Sequence, residues 1–75
     1  MQKIDFELND EFVELNQLLK LVGICDSGGA GKMVVAGGNV SVDGQQELRK
    51  TCKIRAGQVV SLSGVRIHVK PGQSE

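Results

Sequence analysis

Two dipeptides in the second half of the chain, Asp43-Gly44 and Ser63-Gly64, each stand between short runs in which apolar and polar residues alternate. Asp-Gly in that setting is a strong signal for a two-residue hairpin turn, because such turns need positive φ and these residues tolerate it. Val40 and Val42 alternate with Ser41 ahead of the first turn, and a return strand follows from Gln45 to about Arg49. Val60 and Leu62 precede the second turn, while Val65, Ile67 and Val69 follow it. Arg66, His68 and Lys70 then share the opposite, exposed face of the last strand. Between the hairpins, residues 50–57 are less regular and are expected to wind over the surface.

The first half supplies the remaining elements. Ile4, Phe6 and Leu8 alternate with Lys3, Asp5 and Glu7, the pattern of a half-buried strand. Asn9 and Asp10 are good N-cap residues, and Phe12, Leu15, Leu19 and Val22 recur at helical spacing, which predicts a helix over residues 11–22. Gly23 stands where a C′ glycine belongs. Asp10, Glu11 and Glu14 in the first turns and Lys20 near the end would complement the helix dipole. Ser27 can cap a second helix over 28–36, with Ala30, Met33 and Val34 as its buried stripe. Gly28, Gly29 and Gly31 would each cost that helix about 1 kcal/mol relative to alanine. Two reasons could compensate: close packing against the first helix, or close approach of a ligand to the helix N-terminus. The fold class is therefore α+β, a single small domain over residues 1–70 with an N-terminal strand, two packed helices and a mainly antiparallel sheet of two hairpins. A polar tail occupies 71–75.

Seventy-five residues leave no room for a second core and little for an enclosed active site. Binding without catalysis, cofactor or metal is the expectation. Gly28-Gly29-Ala30-Gly31-Lys32 fails as a phosphate-binding P-loop, since Asp26 stands where the leading glycine belongs and Met33 where a hydroxyl is needed. The dinucleotide pattern fails at Val34. A small carrier activated through a C-terminal Gly-Gly is not expected, since the sequence ends Pro71-Gly72-Gln73-Ser74-Glu75. One histidine, His68, and two unclustered cysteines, Cys25 and Cys52, make a poor zinc set. Both cysteines read as reduced packing thiols and His68 as a bystander. The N-terminus has no basic region followed by an apolar core, so export and membrane insertion are not expected and a cytoplasmic monomer is.

The formal net charge is zero, but the charges are segregated. Residues 1–26 hold Lys3 and Lys20 against Asp5, Glu7, Asp10, Glu11, Glu14 and Asp26, a net −4. Residues 27–70 hold seven cations against Asp43 and Glu47, a net +5. Four of the seven, Arg49, Lys50, Lys53 and Arg55, fall in one surface stretch. A polyanion responds to this local field rather than to the sum. Phe6 and Phe12, the two aromatic residues, occupy apolar positions of their elements and are expected in the core. With no ring left to stack on unpaired bases, a structured RNA gripped by its backbone fits better than a single strand. The competing reading is a protein-interaction module, docking through the acidic first helix or the Arg66-His68-Lys70 face.

The order of elements resembles a known family. A helix, a Ser-capped second helix, the run Gly38-Asn39-Val40-Ser41-Val42-Asp43-Gly44, then Arg49 and Gly57-Gln58-Val59-Val60 are similar to the S-four RNA-binding domain, also called the alpha-L motif. The likeness runs from about Phe12 to Leu62, and the N-terminal strand resembles the short stand-alone bacterial members, which associate with ribosomes or their RNA. The resemblance implies that the second helix and the basic residues of the following strands face RNA, here Ser27, Lys32, Arg49, Lys50 and Lys53, with Arg55 at the rim from the charge pattern. The chain departs from the family in having Ser27-Gly28 where many members have Ser-Arg, and Glu14-Leu15-Asn16 where many have Arg-Leu-Asp. The expected partner is a structured RNA, ribosomal RNA or the ribosome.

Overall fold

The structure is a computed structural model that describes residues 2–72. Its elements run β1 (Gln2–Leu8), β2 (Val13–Glu14), α1 (Leu15–Leu21), α2 (Gly28–Ala36), β3 (Ser41–Val42), β4 (Gln45–Gln46), β5 (Lys53–Ile54), β6 (Val59–Leu62) and β7 (Val65–Pro71). Five strands form one sheet in the order β1-β7-β6-β3-β4, and β2 pairs with β5 in a separate two-stranded ladder. The α+β class and the two helices followed by hairpins are as read from the sequence. β1 adds the one parallel pair, lying along β7 with Gln2 opposite Val65 and Leu8 opposite Pro71. The last strand thus runs to Pro71, and of the expected polar tail residues 73–75 lie outside the described residues.

Both hairpins close as two-residue turns with positive φ at each central residue: 52° and 84° at Asp43 and Gly44, 38° and 76° at Ser63 and Gly64. This is the turn whose twist matches that of paired strands. The first hairpin is shorter than its alternation suggests, because β4 ends at Gln46 rather than near Arg49. Glu47 bends the chain there by taking the backbone N–H of Arg49 on its own carboxylate at 2.9 Å. The stretch after it is more ordered than expected, since β5 pairs with β2 and Ile54 is fully buried.

The first helix starts four residues later than the sequence suggests. Val13 and Glu14 are extended because they pair with Ile54 and Lys53. The N–H groups of Leu15 and Asn16 then donate to the carbonyl oxygens of Cys52 at 2.8 Å and Lys50 at 3.1 Å. A distant loop therefore satisfies orphan amides at the true start of the helix, where no side chain caps them, and Asn9 and Asp10 lie too far upstream to act as its N-cap. Glu14, at the N-cap position, makes no side-chain cap, and Asp10, Glu11 and Glu14 all precede the helix instead of lying in its first turns. The C-terminus is as expected: Gly23 at φ +85° donates to Lys20 and Ile24 to Leu19, the paired bonds of a Schellman motif.

α2 matches its expected span, with Ser27 Oγ accepting from the Ala30 N–H at 3.1 Å. Its buried stripe differs. Gly31 and Val35 face the core, Ala30 and Val34 are half-buried, and Met33 is 77% exposed. The helix is rotated so that Gly31 abuts α1, where a Cβ would stand 2.5 Å from the Asn16 carbonyl oxygen. Close packing thus explains Gly31. It does not explain Gly29, whose Cβ would meet nothing nearer than Ser27 Oγ at 3.8 Å. Between helices and sheet, Leu15, Leu18, Leu19, Val35, Ile54 and Ile67 are fully buried. Phe6 packs against this core from β1, but Phe12 falls outside it, because it lies ahead of α1 rather than on its apolar stripe.

Candidate nucleic-acid interface

Asn16 joins the two segments that carry the expected contacts. Its backbone N–H holds the basic loop at Lys50, and its Nδ2 donates to the Gly28 carbonyl oxygen at 3.3 Å, in the first turn of α2. Only 1% of Asn16 is exposed, and its Oδ1 has no hydrogen-bond partner among the described residues. The Ser27-capped end of α2 and the loop at Lys50 are thereby pinned to the same residue of α1, with Leu15 beside it holding Cys52. Sequence reasoning missed this role. The available signal was a polar residue beside Leu15, Leu18 and Leu19, facing a helix rich in glycine.

Ser27, Lys32, Arg49, Lys50, Lys53 and Arg55 are all exposed, but they are not one uniform cluster. Lys53 Nζ lies 4.8 Å and Arg55 Cζ 5.8 Å from the centroid of the Phe12 ring. Both distances lie within cation–π range, so the ring that leaves the core serves to collect two cations. Lys50 is anchored through its carbonyl while its side chain stays in solvent. Lys32 stands one turn into α2, on a different element from the loop cations, and its side chain makes no ion pair or hydrogen bond among the described residues.

Arg49 is already engaged. Its Nε donates to Glu47 Oε2 at 2.9 Å and its Nη2 to Glu47 Oε1 at 3.1 Å, a bidentate pair whose outer partner is 78% exposed and whose inner partner is 16% exposed. The bonds from the Arg49 side chain, and then from its backbone N–H, hold the Glu47 carboxyl at about 2 against an ordinary 4.5. The same carboxylate raises the guanidinium of Arg49. Cys52 Sγ lies 3.6 Å from both Glu47 Oε1 and Arg49 Nη2. Burial first, and then the negative charge of Glu47, push its thiol above the ordinary range, which keeps it protonated and a poor nucleophile. Cys25 is buried and also free. Sequence reasoning treated Glu47 only as a minus sign in the charge balance, and its ring of contacts depends on a bend that composition does not encode.

Arg49 and Lys53 line a cleft of about 400 Å³ that continues to Gln45, Gln46, Asp43 and Gln58. Asp43 does more than form a turn: its Oδ1 accepts from the Val59 N–H at 2.9 Å, and its Oδ2 faces Gln58 Nε2 at 3.4 Å. On the outer face of the sheet, Lys70 pairs with Asp5 at 3.4 Å and His68 is half-buried.

Known proteins resemble this chain in sequence and fold. The chain is 53% identical over 57 residues to the putative RNA-binding protein YbcJ of Escherichia coli K12, covering 76% of this chain and 81% of that one. The same figures hold for the uncharacterized protein YbcJ of Shigella flexneri. The solution structure of E. coli YbcJ, described as revealing an αL motif involved in RNA-binding, superposes with a TM-score of 0.69 at 48% identity, covering 88% of this chain and 85% of that one. The family model for the S4 domain matches residues 6–70, wider than the stretch from Phe12 to Leu62, since β1 and β7 pair along their whole length. The chain belongs to the S4 domain family.

Proposed function

We propose that this protein binds structured RNA without catalysis, as a cytoplasmic monomer, and that its target is ribosomal RNA or a ribosome-associated RNA. The observation that carries the reading is the anchoring of the Ser27-capped helix end and the basic loop to one buried residue, Asn16. Helix amides and cations held on a common support suit a phosphate backbone of fixed shape. Lys32, Lys50, Lys53 and Arg55 displace counterions, and Arg49 contributes through the edge of its guanidinium that Glu47 leaves open. The names of the YbcJ relatives support RNA as the partner class. The protein-docking alternative loses support, because the acidic residues precede α1 rather than forming a helical face, and Lys70 of the sheet face is paired with Asp5.

The test is binding of folded ribosomal RNA fragments across a salt series, with wild type and the Lys32→Ala, Arg49→Ala and Lys53→Ala variants. Thermal melts confirm that each variant folds. Each phosphate contact adds about 0.7–0.9 to the slope of log affinity against log salt, so each lost cation makes the slope shallower by roughly that amount. Absent or salt-insensitive binding by the folded wild type overturns the proposal.

A further inference from the structure

The cleft between the β3–β4 hairpin and the loop leading into β5 has a defined set of open polar groups. Gln58 is partly committed: its Nε2 faces Asp43 and its Oε1 accepts from the Arg55 N–H at 2.7 Å. Glu47 is matched by Arg49. Gln46 donates its Nε2 to the Gly38 carbonyl oxygen at 3.0 Å, which leaves its Oε1 open. The Gln45 carboxamide and Arg49 Nη1 have no hydrogen-bond partner among the described residues, and the Lys53 ammonium, held over the Phe12 ring, has none either. Two cations, the free Gln45 amide and the uncommitted N–H and oxygen sites of Gln46 thus border the same space, with the Asp43 carboxylate held by Val59 and Gln58 at its far side and Val42 and Cys52 contributing apolar surface.

That inventory matches one nucleotide. A volume of about 400 Å³ lies in the range of cavities that hold small ligands, and it is far too small for a duplex. The cations suit a phosphate, and a carboxamide can pair with both the N6 and N7 positions of adenine. We infer that the cleft receives a single unpaired nucleotide of the bound RNA, with its phosphate on Arg49 and Lys53 and its base edge on Gln45 and Gln46. The inference rests on the RNA reading and sharpens it: the protein reads a base displaced from a paired region as well as the shape of that region. It also dispenses with an exposed aromatic platform, because recognition comes from the base edge.

Two RNA hairpins test it, identical except that one carries a single unpaired adenosine, alongside the ribosomal fragments as a reference. Wild type is expected to bind the hairpin with the unpaired adenosine more tightly. Gln45→Ala, a change at an exposed strand position, is expected to lose about fivefold or more on that hairpin, to lose nothing on the paired one, and to keep the salt slope because no charge is removed. In wild type, the same hairpin should slow alkylation of Cys52, a residue lining the cleft, and the paired hairpin should not. If the ribosomal fragments bind but the unpaired adenosine brings neither tighter binding nor Cys52 protection, the cleft assignment is wrong and the RNA reading stands. If no RNA binds the folded protein, both fall.

Discussion

Replacing Gly31 and Gly29 one at a time by alanine should move stability in opposite directions. At Gly31 the added Cβ would stand 2.5 Å from the Asn16 carbonyl oxygen, 3.1 Å from its Cα and 3.2 Å from its carbonyl carbon, whereas ordinary contact begins near 3.4 Å. All three are backbone atoms of α1, so no side chain can swing away and the helices must separate by about 0.9 Å. Such overpacking costs about 1–3 kcal/mol, against which alanine returns about 1 kcal/mol of helix propensity. The collision with rigid backbone favours the upper half of that range, giving a net loss of about 1–2 kcal/mol. For a chain of this size that lowers Tm by roughly 4–16 °C. At Gly29 the methyl meets only Ser27 Oγ at 3.8 Å, so the propensity gain stands unopposed and Tm should rise by a few degrees. Circular-dichroism melts of the two variants decide the matter. A Gly31→Ala protein as stable as wild type would refute the packing argument. If Gly29 instead keeps the end of α2 open to phosphate, Gly29→Ala should weaken RNA binding while Tm rises, a combination that a purely structural glycine cannot produce.

Ser27→Ala removes the acceptor for the Ala30 N–H and should cost about 1 kcal/mol, seen as a Tm lower by about 4–8 °C; Ser27→Gly should cost only a few tenths of a kcal/mol. Glu47→Gln frees Arg49 and should raise RNA affinity and steepen the salt slope by up to about one phosphate contact. The pH dependence of that pair follows from a folded pKa of about 2, below the ordinary 4.5 of a glutamate: any stability the Glu47 charge contributes is complete above pH 4.5 and lost as pH falls toward 2. The Tm difference between wild type and Glu47→Gln should therefore hold steady from neutral pH to about 5 and shrink below it. A difference that vanished near neutral pH would show that Glu47 is not held by Arg49. Cys52, with its thiol raised by burial and by Glu47, should react with iodoacetamide at neutral pH more slowly than a free cysteine, and Cys25 should react only on unfolding, as read by mass spectrometry.

What the sequence made legible was local. Asp43-Gly44 and Ser63-Gly64 dictate their turns through backbone preferences of the residues themselves, and Ser27 and Gly23 mark helix ends for the same reason. The errors arose wherever a distant segment competed. Asn9 and Asp10 are better caps than Glu14 in isolation, yet the helix starts after Glu14, where the carbonyl oxygens of Cys52 and Lys50 satisfy the amides of Leu15 and Asn16 from more than thirty residues away. Met33 fits a helical stripe as well as Val35 does, and only the glycine contact with Asn16 sets which face turns inward. Phe12 followed Phe6 into the expected core because its register with Leu15 assumed that the helix had already begun. The candidate contact residues were legible as a run of charge. Their partners were not: the Glu47 fork and the Phe12 ring are products of tertiary placement.

The dependence of α1 on the basic loop has a consequence for how function and stability are coupled. The carbonyl oxygens of Lys50 and Cys52 stand in for an N-cap, so the loop's backbone holds the helix while its side chains face solvent or the cleft. Substituting Lys50 by alanine leaves those carbonyls in place and should alter RNA affinity alone, whereas Lys53→Ala also gives up the contact with the Phe12 ring and should lower Tm slightly. Inserting a residue between Lys50 and Cys52 shifts the carbonyls relative to Leu15 and Asn16, strands their N–H groups in a buried setting, and loosens Asn16 from Gly28 as well. An unpaired buried amide costs about 1–3 kcal/mol, a large share of what a domain of this length can hold. The loop sequence is therefore free to vary in charge but not in length. A helix without its own cap fixes the spacing between the Ser27-capped end of α2 and the cations of the loop.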